Sequence, residues 1–139
     1  MEFRIASLTD ENAIISFDCV AASDPARVQF IQEQISTSNC YVAIIEGVVV
    51  AYAVLNYNFF GNGWIEMLYV DGKFRRQGVG CALLGYLISI CSKPKLFTST
   101  NQSNIPMQRL LETLQFAQSG YIENLDDGDP ELVYFKLLS

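Results

Sequence analysis

The stretch DGKFRRQGVGCALLGYLI, residues 71–88, decides how the rest of this sequence is interpreted. In it Arg75 and Arg76 stand directly before Gly78 and Gly80, and an apolar run with helical spacing follows. A helix N-terminus leaves unpaired N–H groups and a partial positive charge. Glycines let a ligand approach the backbone, and arginines add donors that match phosphate oxygens. The stretch therefore predicts an anion-binding turn at the start of a helix; the alternative is a glycine-containing turn with solvated arginines.

Two common nucleotide-binding motifs do not fit this turn. The dinucleotide fingerprint GxGxxG requires a third glycine at position 83, which is Leu83, and a P-loop requires Gly-Lys followed by Ser or Thr. An unrelated nucleotide-binding α/β domain is kept as an alternative, and it predicts binding of ATP or NAD but not of coenzyme A.

The composition favours one acidic, folded domain. The chain has 139 residues, of which 50% are hydrophobic, a content that suits a single domain over residues 1–139 with a sizeable core. Fifteen acidic residues against nine basic ones give a net charge of −6. This charge argues against nonspecific nucleic-acid binding and against docking on an anionic membrane.

The cysteines and the apolar runs bear on metal binding and on location. The four cysteines show no CxxC spacing and the chain has no histidine, so a metal site is not expected. No signal peptide is visible at the start, and the longest apolar run, residues 41–55, is interrupted by Glu46 and is too short to span a bilayer. Unpaired cysteines without a secretion signal predict a cytoplasmic protein.

The order of elements predicts a mixed α/β fold. Alternating or β-branched runs predict strands, and capped apolar stripes predict helices, in the order β-α-α-β-β-β-α-β-α-β-β. We expect the first helix to run to about Val20, and the second to be capped by Ser23 or Asp24 with Pro25 at its first position. The strand–helix–strand unit at 63–99 should form a parallel pair.

The residues around the glycine turn resemble the acetyl-CoA-binding motif of the GNAT superfamily of N-acetyltransferases. In that family an Arg or Gln, two variable residues, a Gly, one variable residue and a Gly or Ala follow a strand that ends in a triplet similar to Leu-Tyr-Val. Here Arg75, Gly78 and Gly80 match the three fixed positions, and the strand ends in Leu68-Tyr69-Val70.

Two further stretches are similar to family patterns, namely IEGVVVAYAVL at 45–55 and TNQSNIPMQRLLETLQF at 100–116. The resemblance covers roughly residues 1–137. It implies a GNAT-like fold, with a central, mostly antiparallel, twisted sheet of about seven strands. A splayed parallel pair would lie at the centre of that sheet, and helices would lie on both of its faces.

The resemblance also implies a cofactor site and a reaction. Acetyl-CoA would be the cosubstrate, and its acetyl group would pass by direct attack to a primary amine of a small molecule or peptide. Its pyrophosphate would lie on the loop amides, and its pantetheine arm would pair with the end of the strand as an extra strand. The implied cofactor-binding residues are Leu68, Tyr69, Val70, Arg75, Arg76, Gln77, Gly78, Val79, Gly80, Cys81 and Asn104. For Asn104, simple helix capping is an equal alternative.

Proton transfer is where the sequence departs from the family. Leu111 stands where a tyrosine often protonates the leaving thiolate, so water, Tyr69 or Tyr121 would have to do so. Glu66 is the one carboxylate inside the apolar strand WIEMLYV, and we expect it to be half-buried and to act as the base, directly or through water. The alternative is that Glu66 faces solvent or pairs with an arginine.

The acceptor is not identified by the sequence. The aromatic residues at 57–64 are interpreted as the wall of a substrate pocket, as a hairpin tip or as a dimer contact, and both monomer and homodimer are open. The acidic turn at 126–130 would attract a cationic acceptor or would simply be solvated. A non-catalytic acyl-CoA-binding domain with the same fold is the alternative to an enzyme.

Overall fold

The computed structural model describes all 139 residues. Its elements follow the expected order. The strands are β1 (Glu2–Ile5), β2 (Cys40–Ile45), β3 (Val48–Phe59), β4 (Asn62–Val70), β5 (Lys95–Asn101), β6 (Ala117–Ile122) and β7 (Glu131–Leu137). The helices are α1 (Glu11–Phe17), α2 (Pro25–Ser36), α3 (Val79–Ile90) and α4 (Ile105–Thr113).

The strands form one seven-stranded sheet in the order β1-β2-β3-β4-β5-β7-β6. Strands β4 and β5, in the middle of this order, run parallel, as expected for a strand–helix–strand crossover. The pairs β1–β2, β2–β3, β5–β7 and β6–β7 are antiparallel. The predicted mostly antiparallel sheet with a central parallel pair is therefore confirmed.

The chain divides into two compact units. The first consists of Met1–Leu55 and Met67–Tyr86, and the second of Asn56–Glu66 and Leu87–Ser139. The boundaries fall inside β3, β4 and α3.

In the first unit, helices lie against both faces of the strands. Val42 and Tyr52, paired across β2 and β3, are fully buried in a cluster with Ile14 of α1 and Ile31 of α2. Side chains alternate along a strand, so the neighbouring Tyr41 points to the opposite face. There the rings of Tyr41 and Phe3 pack on Tyr86 of α3, at centroid distances of 6.1 and 5.2 Å.

The ends of the first two helices follow from side chains that bond to the backbone. The Asp24 carboxylate accepts from the N–H of Ala26 at 2.9 Å, and α2 starts at Pro25, as predicted. Helix α1 ends at Phe17, before the expected Val20. Its end is fixed by Asp18, whose carboxylate accepts from the N–H of Val20 at 2.9 Å and so competes with continuation of the helix.

In the second unit, one face of the strands is covered and the other is half-open. Along β5, Leu96 and Thr98 are buried, whereas Phe97 is only partly buried. Lys136, in register with Leu96, donates from Nζ to the carbonyl of Leu114 at the end of α4, at 2.9 Å. Helix α4 therefore reaches the face that carries Leu96 and Thr98.

None of the helices combines the length and the apolar character that a membrane-spanning helix needs.

Candidate functional site

Strand β4 passes into the glycine turn through a short 3₁₀ segment, Gly72–Phe74, in the first unit. The N–H of Asp71 donates to the carbonyl of Val50 at 2.8 Å, which fixes the end of the strand. The Asp71 carboxylate then accepts from the N–H of Lys73 at 3.1 Å. These two bonds determine where the chain leaves the sheet and turns toward α3.

The two arginines of the turn have different environments. Arg75 folds back on the strand: its Nε donates to the carbonyl of Val70 at 3.2 Å, and its guanidinium lies 5.4 Å from the centre of the Tyr69 ring. Arg76 is exposed and has a positive φ of 61°. Arg75 thus fixes the turn against β4, while Arg76 extends into solvent.

The glycine turn leaves the first backbone N–H groups of α3 without helical acceptors. Gly78 has φ +78°, and a Cβ built there would meet no atom within 4 Å, so the backbone conformation rather than crowding favours glycine. The first helical bond of α3 runs from the N–H of Ala82 to the carbonyl of Gly78 at 3.0 Å. The N–H groups of Val79, Gly80 and Cys81 therefore precede the hydrogen-bonded part of the helix. Free N–H groups at a helix N-terminus can bind an anion, and the open space in this turn lies at Gly78, since Val79 is buried.

The strand triplet Leu68-Tyr69-Val70 is half-buried. The parallel register of β4 with β5 comprises Gly63, Trp64 and Ile65, and β4 continues for five further residues to Val70. The triplet lies beyond this parallel register, so its backbone groups are available to another extended chain.

The Tyr69 side chain is held in place within the first unit. Its hydroxyl accepts from the N–H of Cys19 at 3.0 Å, and its ring lies 6.2 Å from each of the rings of Phe17 and Tyr52. Burial, and then the contact with Cys19, raises the pKa of Tyr69. A tyrosine held in this way is a weaker acid than a free one.

A buried ion pair lies beside Tyr52. The Asp18 side chain is 0% exposed and accepts from Arg27 Nη1 at 3.0 Å and from the Tyr52 hydroxyl at 2.6 Å. Burial, and then the Asp18 carboxylate, raises the pKa of Tyr52, so its hydroxyl stays a donor. Our sequence interpretation did not find this cluster. One feature of the sequence could have indicated the cluster. Arg27 lies four residues before the buried Ile31, so both are on the same side of α2, and a cation on the apolar side of a helix needs a partner.

Glu66, in the second unit, is exposed rather than half-buried, so that expectation was wrong. The preceding Ile65 is 2% exposed, and alternation along β4 turns Glu66 to the face that α4 does not reach. The Glu66 carboxylate accepts from Asn56 Nδ2 at 2.9 Å, and no arginine pairs with it.

The remaining candidate residues also lie in the second unit. The Asn104 side chain caps α4 by accepting from the N–H of Met107 at 3.2 Å, which is the capping alternative. Leu111 is fully buried, and Tyr121 is 63% exposed on β6. No group of three His, Cys, Asp or Glu side chains is arranged to hold a metal ion.

Comparison with known families gives one match over most of the chain. The model of the acetyltransferase (GNAT) family matches residues 8–116. No curated protein matches the sequence.

Solved structures with a similar fold are numerous. A GNAT-family acetyltransferase from Bacillus cereus ATCC 10987 is 29% identical, with a TM-score of 0.91 over 98% of this chain and 96% of that one. The ribosomal-protein-S18-alanine N-acetyltransferase from Escherichia coli is 20% identical, with a TM-score of 0.85 over 99% and 94%. A putative acetyltransferase from Salmonella typhimurium, solved with its cofactor acetyl-CoA, is 21% identical, with a TM-score of 0.79 over 100% and 94%.

Proposed function

The chain belongs to the acetyltransferase (GNAT) family, and from that premise we propose that it is an acetyl-CoA-dependent N-acetyltransferase that acts as a single domain. Its acceptor would be a primary amine of a small molecule or peptide. The observation that carries the proposal is the glycine turn, where Gly78 has φ +78° with open space around it and the first amides of α3 have no helical acceptors. The four free cysteines agree with a reducing cytoplasm as its location.

The turn would hold the diphosphate of the cofactor. The N–H groups of Gly78, Val79, Gly80 and Cys81 supply donors at the positive end of α3. Arg76 and Gln77 are exposed beside them, and Arg75 stabilises the turn through its bond to Val70. Asn104 would contact the pantetheine arm in addition to capping α4, as the family resemblance implies.

The triplet Leu68-Tyr69-Val70 would hold the reacting end of the cofactor. Its free backbone groups pair with amides of an extended ligand as a neighbouring strand would. When bound, acetyl-CoA supplies a thioester whose carbonyl carbon bonds to the amine nitrogen while the carbon–sulfur bond breaks and coenzyme A leaves as the thiolate. The triplet's backbone N–H would stabilise the negative charge that develops on the carbonyl oxygen.

Two protons must move in this reaction. Glu66 would accept the proton that the attacking amine loses, directly or through one water molecule. Its hydrogen bond from Asn56 orients the carboxylate, and its exposure leaves the second oxygen accessible. The leaving thiolate would take its proton from water, because a thiol has a pKa near 8.5 and needs little help to leave. Leu111, which is apolar and buried, cannot supply that proton.

The test is thermal unfolding with and without acetyl-CoA. At about 100 times its Kd the cofactor should stabilise the fold by about 2.7 kcal/mol and raise Tm by roughly 5–10 °C. Gly78→Asp should abolish this rise, because a carboxylate at the turn repels the diphosphate. Gly47→Asp is the matched control: Gly47 has φ +76° and equally open space, but lies in the β2–β3 hairpin. A full rise in Gly78→Asp would refute the assignment of the turn.

A second candidate, a non-catalytic acyl-CoA-binding domain, is favoured by Leu111 at the position of the family's tyrosine. Release of coenzyme A thiol, measured over a panel of amines and peptides, separates the two. Acceptor-dependent release supports the enzyme. Stabilisation by acetyl-CoA without release on any acceptor supports the binding domain, and stabilisation by ATP or NAD alone would contradict both.

A further inference from the structure

The second unit carries a contiguous aromatic surface, which we call the aromatic face and define as Phe59, Trp64, Phe97 and Phe135. The ring of Phe59 stacks on Trp64 with centroids 4.5 Å apart and lies 5.0 Å from Phe97. Phe97 in turn lies 5.8 Å from Phe135. The four rings therefore form one continuous surface across β3, β4, β5 and β7.

The register of the strands places three of these rings on a single side of the sheet, and Phe59 joins them by stacking on Trp64. Trp64 is opposite Phe97, and Phe97 is opposite Phe135, in the β4–β5 and β5–β7 pairs. Their neighbours Ile65, Leu96 and Thr98 point to the other side and are at most 2% exposed. All four rings of the aromatic face, in contrast, are only partly buried. Large aromatic side chains left partly exposed in a cluster are typical of a binding surface.

Two carboxylates without cationic partners lie on the same side. Glu66 follows Trp64 by two positions on β4, and Glu131 precedes Phe135 by four positions on β7, so alternation puts both on this side. Glu131 accepts from the Ser99 hydroxyl at 2.7 Å, and Glu66 from Asn56. The two ion pairs of the protein involve other carboxylates, those of Asp10 and Asp18.

We propose that the aromatic face binds the acceptor, and that this acceptor is a primary ammonium ion attached to an aromatic or other bulky apolar group. This inference rests on the proposed function and specifies its substrate class. The apolar group covers the rings, and the ammonium ion pairs with the carboxylates and with the faces of the rings. A small polar amine would satisfy the charges but leave the rings exposed to water.

A second copy of the chain is a poorer occupant of this surface. In a two-fold symmetric contact the same patch meets itself. Each copy would then bring two carboxylates, Glu66 and Glu131, into the contact against one cation on the same side, the exposed Lys95 at the start of β5, and burying unpaired charges is costly. A cationic ligand removes this cost, whereas self-association increases it.

The test uses the fluorescence of Trp64, which is the protein's one tryptophan and part of the aromatic face. Phenethylamine is titrated into the full chain without acetyl-CoA, alongside 2-phenylethanol, which lacks the charge, and ethanolamine, which lacks the ring. A saturable change with phenethylamine, and about tenfold weaker binding of both controls, is expected. No saturable change, or equal responses to all three ligands, would overturn the proposal.

Variants assign the binding to named groups. The double substitution Glu66→Gln with Glu131→Gln should weaken phenethylamine binding to the level of 2-phenylethanol; each amide oxygen still accepts the existing hydrogen bond. Phe135→Ser should weaken binding of phenethylamine and 2-phenylethanol alike. Tyr121→Ser, an exposed aromatic on β6 outside the face, is the matched control and should change neither.

Self-association is tested by sedimentation over a range of protein concentrations. A dimer that phenethylamine does not dissociate, and that Phe135→Ser does, would show that the aromatic face is a subunit contact and would overturn the proposal. The fluorescence titration needs no cofactor, and the thermal shift with acetyl-CoA needs no amine. Failure of the acceptor inference is therefore distinguishable from failure of the proposed function.

Discussion

Two regions of the molecule, one in each unit, differ in how their carboxylates are paired. On the first unit's face under α1 and α2, Asp18 is fully buried and is bound by Arg27, by Tyr52 and by backbone N–H groups. On the aromatic face of the second unit, Glu66 and Glu131 keep some exposure and have only neutral donors. A charge taken fully out of water needs a partner, whereas a partly solvated one does not.

The buried Asp18 contributes to the stability of the fold, whereas Glu66 and Glu131 remain free to pair with a cationic ligand. An ion pair satisfied within the core has little capacity left for an outside cation. Unpaired carboxylates beside exposed rings keep that capacity. Substitutions in the two regions should therefore differ in whether they change stability or binding.

The largest effect is expected for Arg27→Ala. It leaves the Asp18 carboxylate buried without its cation, which should lower the free energy of unfolding by about 3 kcal/mol. Urea denaturation measures this, and Arg4→Ala is the control. Arg4 pairs with Asp10, whose side chain is 7% exposed, but the Arg4 side chain is 45% exposed and Asp10 keeps its hydrogen bond from the N–H of Ser7, so the loss should be smaller, about 1 kcal/mol. Equal losses in the two variants would contradict the comparison.

Gly63→Ala tests how tightly the side chains pack on the covered face of the second unit, the face that carries Leu96 and Thr98. An added Cβ would lie 2.7 Å from Cys91 Sγ and 3.0 Å from Leu96 Cδ1, so the variant should lose about 1–3 kcal/mol. Adding Cys91→Ala should recover part of the loss. Gly85→Ala, in α3 with open space around the new methyl group, should be neutral or stabilising. A neutral Gly63→Ala would show that this face is loosely packed.

The Arg4–Asp10 pair predicts a pH dependence. The hydrogen bond from Arg4 is the main cause that lowers the pKa of the Asp10 carboxyl below its usual 3.8. The carboxylate therefore stabilises the fold above about pH 4, and this contribution is lost as the pH falls through the lowered value. Asp10→Asn should cost about 1 kcal/mol at pH 7, and the difference from the unmodified protein should shrink below pH 4. Urea denaturation at several pH values measures it, and a difference that is constant with pH would contradict it.

The smallest effect on stability is expected on the aromatic face. Glu66→Gln and Glu131→Gln should each change the free energy of unfolding by less than about 0.5 kcal/mol, because neither carboxylate pairs with a cation. The same isosteric change in the buried pair, Asp18→Asn, is the contrast and should destabilise clearly. A large loss in Glu131→Gln would show that this carboxylate serves the fold rather than a ligand.

Local signals predicted most of the elements correctly. The cap at Asp24, the hairpin at Glu46-Gly47 and the order of strands and helices are confirmed, because each depends on residues close in sequence. One expectation that failed concerns the end of a helix. Helix α1 is shorter than expected because Asp18 bonds to the backbone that follows it.

For the candidate site, the motif identified the turn but not how its side chains are used. The amino-acid sequence did not indicate that Arg75 would donate to the carbonyl of Val70 and lie over the ring of Tyr69. Nor did it indicate that Glu66 would be exposed, since a carboxylate inside an apolar strand fits either face. These outcomes depend on which face a helix covers.

The sequence by itself determined the family, the succession of strands and helices, and the glycine turn at the start of α3, because periodicity, caps and backbone freedom are properties of neighbouring residues. The tertiary structure alone decided which charges are paired. It brought Asp18 to Arg27 and Tyr52, and it left Glu66 and Glu131 beside four aromatic rings. The reason is that burial, and with it the cost of an unpaired charge, is fixed only when distant segments pack together.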